Sequence, residues 1–266
     1  MGDAMREEYR LTSEDVRAIE AARRVVRHEE EHVFMRGIYF DVGVIAATDG
    51  RRLLRHPAAG LEGLTAPLLL GPWDEVPTLP AEAGSLVVEG DEVCLQFADG
   101  TVRLQRVAAK FPDYNRVVPT DDGDIIATAK AADLLSALEV IGASAQLPRT
   151  ESKHARTEVR VAEELDRLSL VAAGGTDVEW AVSALVSAEV QAAKGAVRSV
   201  DLNGNYLRDA VAAVAAADTT RQAPVRLELR GDRAAAVKRE DGEGTLVVVM
   251  PLAPESDGSQ ERRASA

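Results

Sequence analysis

Apolar positions recur along the chain at two spacings, and the alternation between them marks out the elements. Val16, Ile19, Ala22 and Val26 repeat at helical spacing behind Thr12-Ser13-Glu14-Asp15. A hydroxyl cap and first-turn acids at that point predict a helix start. Residues 1–11 are polar and predict a frayed extension. From Val33 onward the period becomes that of strands, predicted over 33–40, 42–47, 68–70, 86–89, 92–97 and 101–106. Gly90-Asp91 and Asp99-Gly100 supply hairpin turns, and Thr48 to Leu53 reads as a turn in which Gly50 takes a positive φ. Pro72, Pro77 and Pro80 exclude a long helix before residue 86 and leave room for one short turn near Trp73.

The same plan then recurs. Thr128 is positioned to cap a helix with the stripe Ala131, Leu134, Leu135, Leu138 and Ile141, ended by Gly142. An exposed loop over 146–157 leads to strands at 158–162, 167–172 and 179–185. A second helix over 203–216, capped by Asn203, carries Tyr206, Leu207, Ala210, Val211 and Val214. Strands at 225–229, 234–238 and 245–250 close the pattern. Helix then strands, twice over, predicts an α+β fold with antiparallel sheets. The expected divisions are an N-terminal extension over 1–11, domains over 12–119 and 120–252, and a polar tail over 253–266 that does not fold alone.

Between the halves lies Lys110-Phe111-Pro112-Asp113-Tyr114-Asn115-Arg116-Val117-Val118-Pro119. Two prolines make this stretch extended and rigid. Phe111, Tyr114, Val117 and Val118 either pack against a neighbouring domain or stay partly open as a recognition surface; a buried strap without function is the alternative.

Composition narrows the classes. A content of 46% hydrophobic residues over 266 builds real cores, and 4% aromatics means that small side chains fill them. One cysteine, Cys94, excludes a disulfide framework or thiolate metal cluster and suits a reducing cytoplasm. The sequence shows no secretory signal and no apolar run long enough for a membrane span. A net charge of -13 argues against a protein that coats nucleic acid with its whole surface, yet leaves room for a local basic face. Arg17 and Arg24 project opposite the apolar stripe of the first helix, with Arg23 and Arg27 on a flank; a solvated surface is the bland reading of such a row.

An enzyme is the class with least support, because no Gly-rich phosphate loop and no His-Glu-x-x-His is present. Cys94 reads as a core residue of its strand, and His28, His32, His56 and His154 as surface residues. Asp121-Asp122 reads as a solvated linker rather than a cation site. No cofactor is expected.

Three separated stretches carry a resemblance. Ala47-Thr48-Asp49-Gly50-Arg51-Arg52-Leu53, then Phe111 to Pro119, then Val248-Val249-Met250-Pro251-Leu252 resemble signature segments of the bacterial sliding clamp, the beta subunit of DNA polymerase III. The helix entered through Asp201-Leu202-Asn203 is similar to the last helix of that family. The resemblance covers about residues 11 to 252 and matches the middle and last of the family's three domains. No counterpart of the first domain precedes residue 11.

The resemblance implies two clamp-like domains in a homo-oligomeric ring around duplex DNA, with three copies supplying the six domains of a ring. It implies a cleft for short apolar peptides of polymerases and repair proteins, and possible service by a clamp-loader ATPase. Carried over by position, the cleft residues are Met35, Thr48, Gly50, Arg51, Arg52, Leu53, Pro112, Arg116, Val117, Ala235, Val248, Val249, Met250, Pro251 and Leu252. An apolar floor with Arg52 and Arg116 at its rim suits an extended peptide. The DNA-facing candidates are Arg17, Arg23, Arg24, Arg27, Lys130 and Arg208. Three features depart from the family: Arg51 in place of a common His, a proline-rich 71–84 in place of an inner helix, and the tail beyond Leu252. An adaptor that binds the same peptides without forming a ring is the alternative function.

Overall fold

The computed structural model describes residues 6–27, 31–144, 156–161, 167–174, 180–193, 199–218, 222–231 and 233–252. Tyr9 and Leu11 alternate with exposed neighbours, and that period makes Arg6–Leu11 a strand, β1. The frayed extension expected for residues 1–11 therefore fails over 6–11, which pair antiparallel with residues 84–89.

Helix α1 (Ser13–Arg23) starts where expected. Thr12 and Asp15 form a reciprocal capping box, with Asp15 N donating to Thr12 Oγ1 at 3.1 Å and Thr12 N to Asp15 Oδ2 at 2.6 Å. Val16, Ile19 and Ala22 are buried, and Val26 is buried just past the helix end. The strand expected from residue 33 begins later. Met35 N closes a turn onto His32 O, so Val33–Arg36 is a 3₁₀ turn ahead of β2 (Ile38–Asp41). Strands β3 (Val44–Thr48) and β4 (Arg52–Pro57) follow as antiparallel neighbours. Sequence reading missed β4 because Arg55 and His56 interrupt its apolar pattern.

Strand β5 (Leu68–Gly71) returns to pair with β2. The proline-rich stretch after it forms no helix, and Trp73, Val76 and Leu79 plug the core there. Arg23 donates to the carbonyls of Trp73, Val76 and Pro77, and Leu79 N donates to Glu20. Two side chains of α1 thus hold this segment in place. Strands β6 (Gly84–Glu89), β7 (Glu92–Phe97) and β8 (Gly100–Arg106) form a meander, with β1 on the outer side of β6. Cys94 lies half-buried on β7 rather than in the core, because it shares the outward face with its cross-strand neighbour Arg103.

The second half repeats the plan. Strand β9 (Ile125–Lys130) includes Thr128, so Thr128 does not cap the helix; α2 (Ala131–Ser144) begins after it and continues past Gly142. All five residues of the expected α2 stripe are buried. Strands β10 (Arg156–Val161), β11 (Arg167–Gly174) and β12 (Trp180–Ser187) form a second meander, and of the expected 146–157 loop, 146–155 lie outside the described residues. Strands β13 (Glu189–Ala192) and β14 (Ser199–Asn203) lead into α3 (Gly204–Val214), capped by Asn203 Oδ1 accepting from the amides of Asn205 and Tyr206. Strands β15 (Pro224–Arg230), β16 (Arg233–Arg239) and β17 (Leu246–Val249) complete the chain. Asp121 and Asp122 are exposed, as expected of a solvated pair, and also bond Arg233 at 3.1 Å and Arg226 at 2.8 Å on these strands.

A single unit is therefore used four times: one strand, a helix or the proline-rich stretch, then three meandering strands. The opening strand of each unit crosses to the meander of its partner unit: β1 beside β6, β5 beside β2, β9 beside β15, β14 beside β10. Strand β17 pairs antiparallel with β4, which joins the two halves into a sheet of thirteen strands; β10, β11, β12 and β14 form a separate sheet of four. All three helices bury their apolar stripes in one large cluster. A smaller cluster on the opposite face gathers Val44, Ala46, Leu53, Leu69 and Val248 under Phe111 and Tyr114. No helix among the described residues is long and apolar enough to cross a membrane.

Candidate functional site

The turn between β3 and β4 is built by its own side chains. Asp49 Oδ1 accepts from the amides of Arg51 and Arg52, both at 2.9 Å, and Gly50 N donates to Thr48 Oγ1 at 3.1 Å. Gly50 has φ +77°, and a Cβ there would lie 2.9 Å from Met35 Cε. The backbone conformation favours glycine, and a Cβ there would also push the flexible tip of Met35 aside.

Strand β17 runs along the other side of the turn. Val248 faces Leu53 across the ladder, and Met250 N donates to Arg51 O at 2.9 Å. The strap closes the third side. Phe111 stacks on Tyr39 with centroids 4.6 Å apart, and Phe34 meets the Phe111 ring edge-on. Asp113 caps a 3₁₀ turn over Tyr114–Arg116, and Tyr114 OH donates to Asp41 Oδ2 at 3.1 Å. Burial, then that hydrogen bond, push the Tyr114 phenol up to about 12.

These segments enclose an almost wholly apolar cleft of about 180 Å³. It is lined by nine of the expected residues: Met35, Thr48, Gly50, Arg52, Leu53, Pro112, Val117, Val248 and Met250. Val117 and Met250 remain 49% and 41% exposed at its mouth. Six expected residues do not line it. Val249 and Ala235 face the helices, since strand alternation turns them away from Val248. Arg51 and Arg116 are exposed outside it, and Leu252 N donates to Asp201 O, drawing Pro251 and Leu252 toward β14. Phe34 and Asp113 also line it without having been expected, and Tyr114, expected as part of the strap's packing or recognition surface, joins them.

Arg52 differs most from its expected place at the rim. It is 8% exposed, with Nε 3.2 Å from Asp49, Nη1 2.7 Å from Asp209, and a further bond to Arg24 O. Its guanidinium lies 4.5 Å from the Tyr206 ring centroid. One wall of the cleft is thereby tied to the end of α1 and to α3. His56 also departs from expectation: it is 2% exposed, bridging Asp15 at 2.9 Å and Thr245 at 3.0 Å. The surface position expected for it fails because it sits at an inward position of β4, whose polar residues hide the strand pattern; His32 is exposed as expected, and His28 and His154 lie outside the described residues.

The basic candidates are unevenly placed. Arg24, Lys130 and Arg208 are exposed, Arg17 is half-buried against Ser13, and Arg27 donates to Tyr206 OH. Arg23 is engaged with the proline-rich carbonyls. Helix α2 contains no Lys or Arg, and its exposed face carries Asp133 and Glu139. Among the described residues no cluster of His, Cys, Asp and Glu has the arrangement of a metal site.

No family model matches the chain, and no curated protein matches it. Solved structures do. The DNA polymerase III subunit beta of Pseudomonas aeruginosa superposes with a TM-score of 0.73 at 18% identity, covering 96% of this chain and 68% of that one. The Caulobacter crescentus beta sliding clamp, solved with polyethylene glycol, gives 0.72 at 19% identity, covering 96% and 67%. The Bacillus subtilis sliding clamp gives 0.73 at 13% identity, covering 96% and 66%. The chain spans about two thirds of the length of these proteins. Its antiparallel sheets and helices have the α+β fold of the bacterial DNA polymerase III beta sliding clamps.

Proposed function

We propose that this protein is a clamp-type, non-enzymatic replication factor that receives an extended apolar peptide of a polymerase or repair protein in the cleft beside the β4–β17 seam. The observation that carries the reading is the cleft itself: residues near 50, 115 and 250 reach it from three distant segments and leave apolar side chains open at its mouth. An apolar floor with backbone at its edges is suited to a peptide bearing apolar anchors, and two methionines let the wall adapt to more than one partner. The solved C. crescentus clamp with polyethylene glycol at its proposed beta-motif tethering region gives a precedent for small extended ligands on this fold.

In this reading copies of the chain close head to tail around duplex DNA in the cytoplasm, with domains divided near residue 119 and three copies supplying six. A loader ATPase would open the ring. The ring holds a polymerase by topology and needs only weak phosphate attraction. Retention on circular DNA with loss from linear DNA tests it, and fluorescence anisotropy with an apolar clamp-type peptide tests the cleft.

A second reading, an adaptor that binds the same peptides off DNA, is favoured by one specific observation. Arg23 is tied to backbone carbonyls and α2 presents acids, so the helix layer offers duplex DNA little positive charge. Peptide binding without retention on circles selects this reading.

A further inference from the structure

The strap that walls the cleft is held at two points, one on each half of the chain. The first is Tyr114, whose hydroxyl bonds Asp41 of β2. Beyond it, among the described residues, hydrogen bonds stay within the strap, from Asn115 N to Asp113 Oδ1, Arg116 N to Asp113 O and Val117 N to Tyr114 O, and Val118 adds an apolar contact with the cluster beneath. The second point is Asp121, whose backbone carbonyl accepts from Arg230 Nη2 of β15. Val117, half-exposed at the mouth of the cleft, stands between the two.

The second point is built from buried charge. Val225, Leu227 and Leu229 face the helices, so the pleat turns Arg226, Glu228 and Arg230 to the face that carries the cleft. Glu228 belongs to the same cross-strand row as the cleft floor: Val248 stands beside Ala236, and Ala236 beside Glu228. Two strand spacings, roughly 10 Å, separate it from that floor. Glu228 is 1% exposed; its carboxylate accepts from Arg230 Nη2 and pairs with Arg226 Nε and Lys238 Nζ, both 2.7 Å away. A buried carboxylate ringed by three cations is held in one arrangement, unlike an exposed pair that exchanges with water. The linker lies flat on this network, since a Cβ on Gly123 would come 2.9 Å from Glu228 Cβ and from Leu229 O.

We infer that Arg230 and Glu228 are positioning residues for the cleft: they hold the 121–124 run against β15 and so fix how far Val117 stands from the floor. Neither side chain lines the cleft, so the effect passes through the backbone. Pro119 lies between Val117 and Asp121 with its φ fixed, and a displaced linker therefore moves the wall instead of being absorbed on the way. Arg230 is an inefficient stabiliser, because its Nη1 is buried without a hydrogen-bond partner, which cancels part of what its other bonds contribute. The inference rests on the cleft reading and deepens it; ring closure and DNA do not enter it.

The experiment uses the full chain, with anisotropy of an apolar clamp-type peptide for affinity and methyl NMR of the free, ¹³C-methionine-labelled protein for the shape of the cleft. Arg230→Met removes the bond to the linker while Glu228 keeps Arg226 and Lys238. Gly123→Ala lifts the linker off β15 without changing a charge. Leu95→Ala, a core truncation on β7 remote from β17 in the sheet order, controls for lost stability. Arg230→Met and Gly123→Ala should each weaken the peptide roughly fivefold or more, chiefly through faster dissociation, and shift the Met35 or Met250 methyl signals of the free protein. Leu95→Ala should melt earlier with unchanged affinity. An Arg230→Met protein that melts earlier but keeps its affinity and its cleft methyl signals overturns the inference and spares the cleft reading. A wild type that binds no such peptide overturns the cleft reading; the free-protein signals then decide alone, and unmoved signals in both variants overturn the positioning as well. If Arg230→Met does not fold, Gly123→Ala decides by the same two measurements.

Discussion

Val248 stands directly across from Leu53 in the ladder that joins β17 to β4, and both side chains leave the helix layer for the opposite face of the sheet. Residues 195 positions apart in sequence thus form the floor of one cleft. The floor exists only where the two halves meet, so a ligand there also reads the seam.

Met250→Ala should weaken an apolar clamp-type peptide by about 1–3 kcal/mol, the range for truncating a buried anchor. Leu252→Ala should change little, because its backbone leads away toward Asp201. Isothermal titration of the two single variants separates them, and equal losses would mean that the peptide follows the chain beyond residue 250.

Gly50→Ala should destabilise the fold by about 1–3 kcal/mol through its positive φ, and should also move Met35, whose methyl occupies the space a Cβ would need. Denaturant midpoints measure the first effect. A loss of peptide affinity beyond that of Met35→Ala alone would show that the turn itself contacts the ligand.

Arg52→Ala should cost about 1–3 kcal/mol of stability: Asp49 keeps its backbone donors and Arg27 but loses its buried guanidinium, and the Arg24 carbonyl loses that donor. Arg52→Lys should recover only part of this, because an ammonium cannot reach Asp49, Asp209 and a carbonyl from one planar fork. Full recovery by lysine, read in thermal unfolding, would reduce the network to simple charge.

Acid should loosen the molecule at two places. Burial opposes ionisation of Asp15, but hydrogen bonds from His56 and Thr12 more than offset it and hold the carboxyl below its usual range. Lys238 and Arg230 do the same for Glu228. For a lowered carboxyl the stability is present above its unfolded pKa and lost as pH falls through the folded one, which places the loss below about pH 4. Tyr114 has the opposite sign: its contribution is complete below pH 10 and disappears as pH rises toward about 12. Unfolding free energies measured from pH 2 to 7 should rise with pH below 4 and then flatten, and Asp15→Asn should reduce the rise.

Arg24→Glu with Arg208→Glu should reduce retention on circular DNA and leave peptide affinity unchanged, as both side chains are exposed on the helix layer. Arg23→Ala should instead lower stability by releasing the Trp73, Val76 and Pro77 carbonyls. Identical behaviour of the two would argue that none of these arginines meets DNA.

Much of this fold was legible in the sequence, for identifiable reasons. Helices α1 and α3 announce themselves through caps at Thr12 and Asn203 and clean apolar stripes, and the meander β6–β7–β8 through alternation between Gly-containing turns. Strands β1, β4 and β9 were not legible. Arg6–Leu11 has only two apolar inward positions, β4 carries a buried histidine and arginine, and the small residues of β9 continue without a break into α2. The nine cleft residues came from motif likeness, and Arg52 among them is buried rather than at the rim; Val249 and Ala235 face the helices because side-chain direction depends on a register that motifs do not carry.

The central claim is that one cleft, built from three distant segments, is the peptide site. Of four methionines, Met35 and Met250 line that cleft, while Met1 and Met5 lie in the first five residues. Methyl NMR of the ¹³C-methionine-labelled protein during titration with an apolar clamp-type peptide therefore reads the claim directly. Saturable shifts of the Met35 and Met250 methyl signals, with those of Met1 and Met5 unmoved, are the predicted result. Peptide binding that leaves both cleft methyls unshifted would contradict it.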